Sequence, residues 1–149
     1  MAEINRETYI YFVVVEKALE DKILTLDESD LLDIITENFN ISQNTIDTVT
    51  AHFDGESKIE ITPEQVQQFK SEADFEKDRE VFKNVLIQAL ADEKITKDEL
   101  EIIKSLRDLL DIGEETRAQI YQEVREEIER RFEEEHKDYM MERFQDWAG

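Results

Sequence analysis

The fold is decided by one stretch of sequence, LIQALADEKITKDEL at residues 86–100. It has the pattern of one amphipathic helix ending, a short polar turn, and a second helix beginning. Thr96 and Glu99 have the spacing of a capping box, in which a Thr hydroxyl and a Glu carboxylate satisfy the first N–H groups of a helix. The stretch therefore predicts two helices joined by a tight turn.

An earlier copy of the same unit lies 71 positions upstream. At this offset residues 10–49 align with residues 81–120 without a gap, and apolar positions match throughout. The capping box recurs at Thr25 and Glu28. So many matches in one register indicate a duplicated unit of three helices.

The second copy decides the structure of residues 9–15, YIYFVVV, which alone resemble a buried β-strand. The apolar positions that both copies share are 10, 11, 14, 15, 18 and 19, the stripe of an α-helix. We predict a helix here. The additional apolar residues Tyr9, Phe12 and Val13 should then cover another surface, belonging to the second unit, the C-terminal helix or a partner.

We predict an all-α protein in which two pseudo-repeated three-helix units pack as one helical bundle. Residues 1–53 form the first unit, residues 54–75 a linker with a short helix, and residues 76–149 the second unit. Thr62 followed by Pro63 marks the start of the linker helix, with Pro at the first helical position. No Gly or Pro interrupts the chain from Glu114 to Trp147, so one long C-terminal helix of about 50 Å is expected there.

The end of this C-terminal segment is rich in large apolar side chains. They either pack on their own chain or offer an apolar face to another protein. The candidate partner-binding residues are Tyr139, Met140, Phe144 and Trp147.

Composition narrows the classes of function. A net charge of −21, from 18 basic and 39 acidic residues, would repel phosphate backbones and anionic membranes, so direct nucleic-acid binding is not expected. No apolar run approaches the roughly 18 residues of a membrane span, so membrane insertion is not expected either. The absence of cysteine and of a secretion signal predicts a cytoplasmic protein. Because no phosphate loop or nucleophile elbow is present, the sequence predicts a protein that is not an enzyme and needs no cofactor.

The two turns carry the same acidic spacing, Asp21 to Glu28 and Asp92 to Glu99, with an aliphatic residue between. This spacing equals the second half of an EF-hand calcium loop, but the residues that precede it do not fit the first half. In residues 91–99 the pattern Ala-Asp-x-x-Ile-x-x-x-Glu, followed by an aliphatic helix, resembles the TerB-like helical domain of tellurite-resistance and stress proteins. Where that family usually has Gly, this sequence has Glu93, and residues 20–28 depart further from the pattern.

The resemblance implies one all-helical domain, or two in tandem, with an acidic site at the turn between helices. Carried over to this sequence, the candidate metal ligands are Asp21, Glu28, Asp92 and Glu99. Helix capping alone explains Glu28 and Glu99, and Asp21 and Asp92 fit a role in capping the preceding helix, so a purely structural role is the favoured alternative. Calcium or another divalent cation is one candidate ligand, and a basic protein is another.

Together these features predict an acidic, non-enzymatic interaction module that acts as an adaptor or a stress-response component. Its expected partner is a protein that is basic or that has an apolar groove, and a homodimer is a further alternative. Weak calcium binding or sensing at the acidic turns is the second hypothesis. The third is an acidic decoy for a nucleic-acid-binding protein, which the charge of −21 motivates.

Overall fold

A computed structural model describes residues 4–21 and 26–148, with the side chains of residues 21, 26–28, 97 and 98 outside the description. The described residues form eight α-helices and a 3₁₀ turn at Leu19–Asp21. The helices are α1 (Arg6–Ala18), α2 (Leu26–Asn38), α3 (Gln43–Phe53), α4 (Pro63–Ser71), α5 (Phe75–Ala91), α6 (Lys97–Leu109), α7 (Glu114–Arg131) and α8 (Glu134–Ala148).

The all-α prediction is confirmed, including the helix over residues 9–15. Asn5 starts this helix, since its side-chain oxygen accepts the Thr8 backbone N–H at 2.8 Å. Buried residues of α1 include Ile10, Val14 and Ala18, which lie on the stripe that the two copies share. A strong β-propensity is therefore overridden by the helical spacing of the apolar residues.

The order and spacing of α1, α2 and α3 along the chain resemble those of α5, α6 and α7. Residues 26–38 form α2 and residues 97–109 form α6, an offset of 71. Each of these helices is followed by a residue with a left-handed backbone, Asn40 at φ 53° and Asp111 at φ 56°. Asn and Asp tolerate this conformation after a helix better than most side chains do. The second helix of each unit therefore ends with the same left-handed residue at equivalent positions.

The two units interlock. The first helix of each unit packs against the second helix of the other, α1 against α6 and α5 against α2. Helix α5 also contacts α6, α7 and α8, so it lies at the centre of the bundle. Fully buried side chains from both units fill the shared core, among them Val14, Leu31, Ile35, Phe82, Leu86, Leu90, Ile103, Leu106 and Ile120.

Two of the additional apolar residues of α1, Tyr9 and Phe12, pack against aromatic side chains of the linker helix α4 and of α3. The start of α4 is the predicted one, with Thr62 in a reciprocal capping box and Pro63 at the first helical position. The rings of Tyr9 and Phe69 lie 5.5 Å apart. One turn further along α1, Phe12 stacks on Phe53 of α3 with 5.3 Å between the ring centres. The surface that Tyr9 and Phe12 cover thus belongs to α4 and the end of α3, and not to the second unit or the C-terminal helix as predicted.

The prediction of one uninterrupted helix from Glu114 to Trp147 is wrong. The chain leaves the helix at Phe132, which has an extended backbone with φ −114° and ψ 149°, and α8 then turns back to pack against α5, α6 and α7. A straight helix would carry the apolar end of the segment away from the core. The charges favour the break, because Arg130 and Arg131 end α7 and acidic residues begin α8, in agreement with the helix dipole.

Tyr11 makes the stability of this core depend on pH. Burial raises the pKa of the Tyr11 phenol above its ordinary value of 10.0, and the nearby Asp33 carboxylate raises it further. The folded chain therefore keeps this proton at a pH where the unfolded chain loses it, so the free energy of unfolding should fall as pH rises above about 10. In urea unfolding, Tyr11→Phe should show a smaller loss of stability between pH 9 and pH 11 than the wild type. Equal losses would contradict this assignment.

None of the described helices combines the length and the apolar composition needed to cross a membrane.

Candidate functional site

The turn between α5 and α6 contains the predicted site residue Asp92, and Glu99 follows in the first turn of α6. Asp92 follows the last residue of α5, and its Oδ1 accepts the Lys94 backbone N–H at 2.9 Å, which closes a short polar turn. Thr96 then caps α6, since its Oγ1 accepts the Glu99 N–H at 3.4 Å. The helix start predicted at Thr96 is therefore confirmed, and one Asp92 oxygen serves the backbone of the turn itself.

Glu99 is only 7% exposed, so it lies at the inner side of the turn. Its Oε1 accepts the Thr96 hydroxyl at 3.1 Å. Burying a carboxylate is costly unless other groups stabilise it. The hydroxyl contact and the position in the first turn of α6, at the positive end of the helix dipole, both do so.

The equivalent turn of the first unit is described only in part. Residues 22–25 and the side chains of Asp21 and Glu28 lie outside the described residues, and so does the capping box predicted at residues 25–28. Within residues 4–21 and 26–148, no group of three or more His, Cys, Asp or Glu side chains could hold a metal ion. Calcium binding at the two turns stays a prediction.

The α5–α6 turn holds a cation that the sequence analysis did not assign, the Arg143 guanidinium of α8. Its Nη1 donates to the backbone oxygens of Ala89, Leu90 and Asp92 at 3.3, 2.5 and 3.1 Å, and its Nη2 donates to Ile95 O. The Tyr139 ring lies 5.1 Å from the guanidinium carbon. The contact between Arg143 and Tyr139 could have been predicted from the sequence, because the two residues are one helical turn apart. The sequence does not indicate which carbonyl groups Arg143 binds.

Three of the four predicted partner-binding residues lie inside the protein. Met140, Phe144 and Trp147 are buried in the core, and Trp147 Nε1 donates to Leu100 O at 2.9 Å. Tyr139 is half-buried. Of the two alternatives for this segment, the structure shows packing on its own chain, and these three side chains have no surface to offer a partner.

The opposite side of α8 is acidic and exposed. Glu135, Asp138, Glu142 and Asp146 follow each other at intervals of three or four residues, so they lie along one side of the helix. We refer to these four residues as the acidic face of α8. The apolar residues on the inner side fix the orientation of the helix and therefore turn this face to the solvent.

Residues 9–122 match the family model described as tellurite resistance protein TerB. The chain belongs to the TerB family. This confirms the resemblance noted in residues 91–99. The match is one span that covers α2 to α6 with most of α1 and the first half of α7, whereas Arg143 and α8 lie beyond it. No curated protein and no solved structure gives a match.

The replacement of the family's usual Gly by Glu93 does not strain the backbone. Glu93 stands where the family usually has Gly, which would suit a left-handed turn. In the part of the chain that the structure describes, the non-glycine residues with positive φ are Asn40 and Asp111. Glu93 is therefore not in the left-handed conformation, and this turn does not require Gly at that position.

Proposed function

We propose that this TerB-family protein is a non-enzymatic adaptor that binds a basic protein through the acidic face of α8. The family is named for tellurite resistance, and we place the adaptor in that response or a related stress response. The observation that carries the proposal is the arrangement of Glu135, Asp138, Glu142 and Asp146 on one exposed side of a helix whose other side is anchored in the core.

Charge and rigidity both support this role. A net charge of −21 attracts basic partners over about 8–10 Å at physiological salt. Carboxylates held on a packed helix keep a fixed spacing, so a partner loses little entropy in matching them. The partner is then selected by the pattern of its positive charges rather than by an apolar anchor, since Met140, Phe144 and Trp147 are buried.

Neutralising the acidic face should weaken binding of a basic probe. We expect the triple variant Glu135→Gln, Asp138→Asn, Glu142→Gln to bind a labelled 20-residue Lys/Arg-rich peptide about tenfold more weakly than wild type at low salt, since three lost ion contacts of about 0.5 kcal/mol each give that factor. Fluorescence anisotropy measures the change, and circular dichroism checks that the fold is kept.

The matched control removes three charges elsewhere. Glu37, Glu56 and Glu64 are exposed and lie outside α8, so changing all three to Gln removes the same number of negative charges. This control should weaken binding less than about threefold. Equal losses in the two triple variants would show that net charge, and not the α8 face, attracts the peptide. Binding that is insensitive to salt would contradict the proposal altogether.

A further inference from the structure

We infer that the α5–α6 turn is a guanidinium-binding site, and that α8 fills it with Arg143. One side chain meets four backbone oxygens there, those of Ala89, Leu90, Asp92 and Ile95. This inference is independent of the adaptor function proposed above, because it concerns the inner side of α8 and not its acidic face.

The turn leaves the Leu90 and Ile95 oxygens without the N–H that a continuing helix would supply. The Ala89 and Asp92 oxygens each accept one backbone N–H of the turn, from Asp92 at 3.3 Å and from Ile95 at 3.2 Å, and accept Arg143 as a second donor. In a continuing helix the Leu90 oxygen would accept the Lys94 N–H, but that N–H donates to Asp92 Oδ1 at 2.9 Å. Likewise the Glu99 N–H donates to Thr96 Oγ1 at 3.4 Å, not to the Ile95 oxygen. The Ala89, Leu90 and Asp92 oxygens lie at the C-terminal, negative end of the α5 dipole, where a positive charge is favoured.

The geometry selects a guanidinium group among cations. Both terminal nitrogens of Arg143 donate from one plane, and the Tyr139 ring packs against the guanidinium with 5.1 Å between ring centre and Cζ. A planar fork with several donors fits carbonyl groups spread along a turn, whereas an ammonium ion has three donors at one point. Calcium takes six to eight oxygens around a single point, usually with carboxylates among them, and one Asp92 oxygen already serves the turn.

Arg143 lies outside the part of the chain that matches the TerB family model. The segment that follows residue 122 therefore supplies its own ligand to a turn within the family domain. Two side chains of α8 bond to backbone oxygens in this region, Arg143 at the turn and Trp147 at Leu100 O. Docking of α8 thus closes the α5–α6 turn to other cations.

Chemical rescue tests the inference. Arg143→Ala should lower Tm by about 5 °C, because it leaves carbonyl groups without their charged donor. Guanidinium chloride at 5–20 mM should then raise the Tm of Arg143→Ala by about 2 °C and saturate, as binding to the folded state requires. The same additions should not raise the Tm of wild type, and sodium chloride should not replace guanidinium.

Arg130→Ala is the matched control, since Arg130 is an exposed arginine of α7 whose side chain is 69% exposed. It should change Tm by less than about 1 °C and show no rescue. Arg143→Lys keeps the charge without the planar fork, and its Tm should lie between those of Arg143→Ala and wild type. In wild type, NMR should show separate signals for the two Nη groups of Arg143, because bonding hinders rotation of the guanidinium.

Three results would overturn the inference. The first is an equal response of Arg143→Ala and Arg130→Ala to guanidinium. The second is a saturable rise in the Tm of Arg143→Ala with calcium chloride and none with guanidinium, which would make the turn a metal site. The third is a single averaged Nη signal for Arg143 in wild type at low temperature, which remains decisive if Arg143→Ala does not fold.

Discussion

Trp147→Ala is expected to lower the free energy of unfolding by about 3–5 kcal/mol, the usual cost of deleting a buried aromatic side chain. Trp147 is 3% exposed and lies between α6 and α7. Its ring centre is 5.6 Å from that of Tyr121, and its indole N–H donates to Leu100 O at 2.9 Å. The variant therefore removes apolar burial and the indole hydrogen bond to Leu100 O. Urea unfolding followed by circular dichroism measures the change.

Two further variants separate these contributions. Trp147→Phe keeps most of the apolar volume but has no N–H, so a loss of about 1–3 kcal/mol is expected. Phe75→Ala removes a large apolar side chain that is 53% exposed, and it should change stability by less than about 1 kcal/mol. If Trp147→Ala cost no more than Phe75→Ala, α8 would not be part of the core.

Asp78→Ala is expected to destabilise the protein by about 3 kcal/mol, because it leaves the Arg6 charge without its partner in a largely buried site. The Arg6 guanidinium meets this carboxylate with both nitrogens, at 3.1 and 2.5 Å. The Asp78 side chain is 6% exposed and that of Arg6 is 23% exposed. The pair joins the first turn of α1 to the first turn of α5, the helix that opens the second unit. The two residues are 72 positions apart in the chain. Chemical denaturation measures the loss.

A double replacement tests whether the unpaired Arg6 charge causes this loss. Replacing both residues, Arg6→Met with Asp78→Leu, should cost less than Asp78→Ala alone, since no unpaired charge then stays buried. The pair of Arg130 with Glu127 provides the comparison, because the Arg130 side chain is 69% exposed and Glu127 also pairs with Arg131. Arg130→Ala should therefore cost at most about 1 kcal/mol. Similar costs for Asp78→Ala and Arg130→Ala would contradict the importance given to burial.

Features that depend on neighbouring residues, or that occur in both copies of the repeat, could be predicted from the sequence. The comparison of two copies placed residues 9–15 in a helix, and Thr62 and Thr96 marked helix starts that the structure confirms. Capping depends on residues three positions apart, so it can be recognised without knowledge of the tertiary fold. The same holds for the resemblance in residues 91–99, which led to the TerB family.

Features that depend on distant contacts could not be read in this way. The break at Phe132 depends on how much apolar surface α8 buries when it turns back, although Arg130 and Arg131 before an acidic run were a usable signal. The sequence showed that Met140 and Phe144 lie on one side of a helix, but not which surface covers them. Arg143 was missed for the same reason, since its acceptors are backbone oxygens about 50 residues away.

Amide hydrogen exchange tests most directly whether α8 is an integral part of the folded domain. If Arg143, Phe144 and Trp147 dock α8 as described, amides 140–147 should exchange within about tenfold of amides 85–90 in α5, through global unfolding. Exchange of α8 more than about a hundredfold faster, while α5 stays protected, would show that the helix opens on its own and would contradict the account.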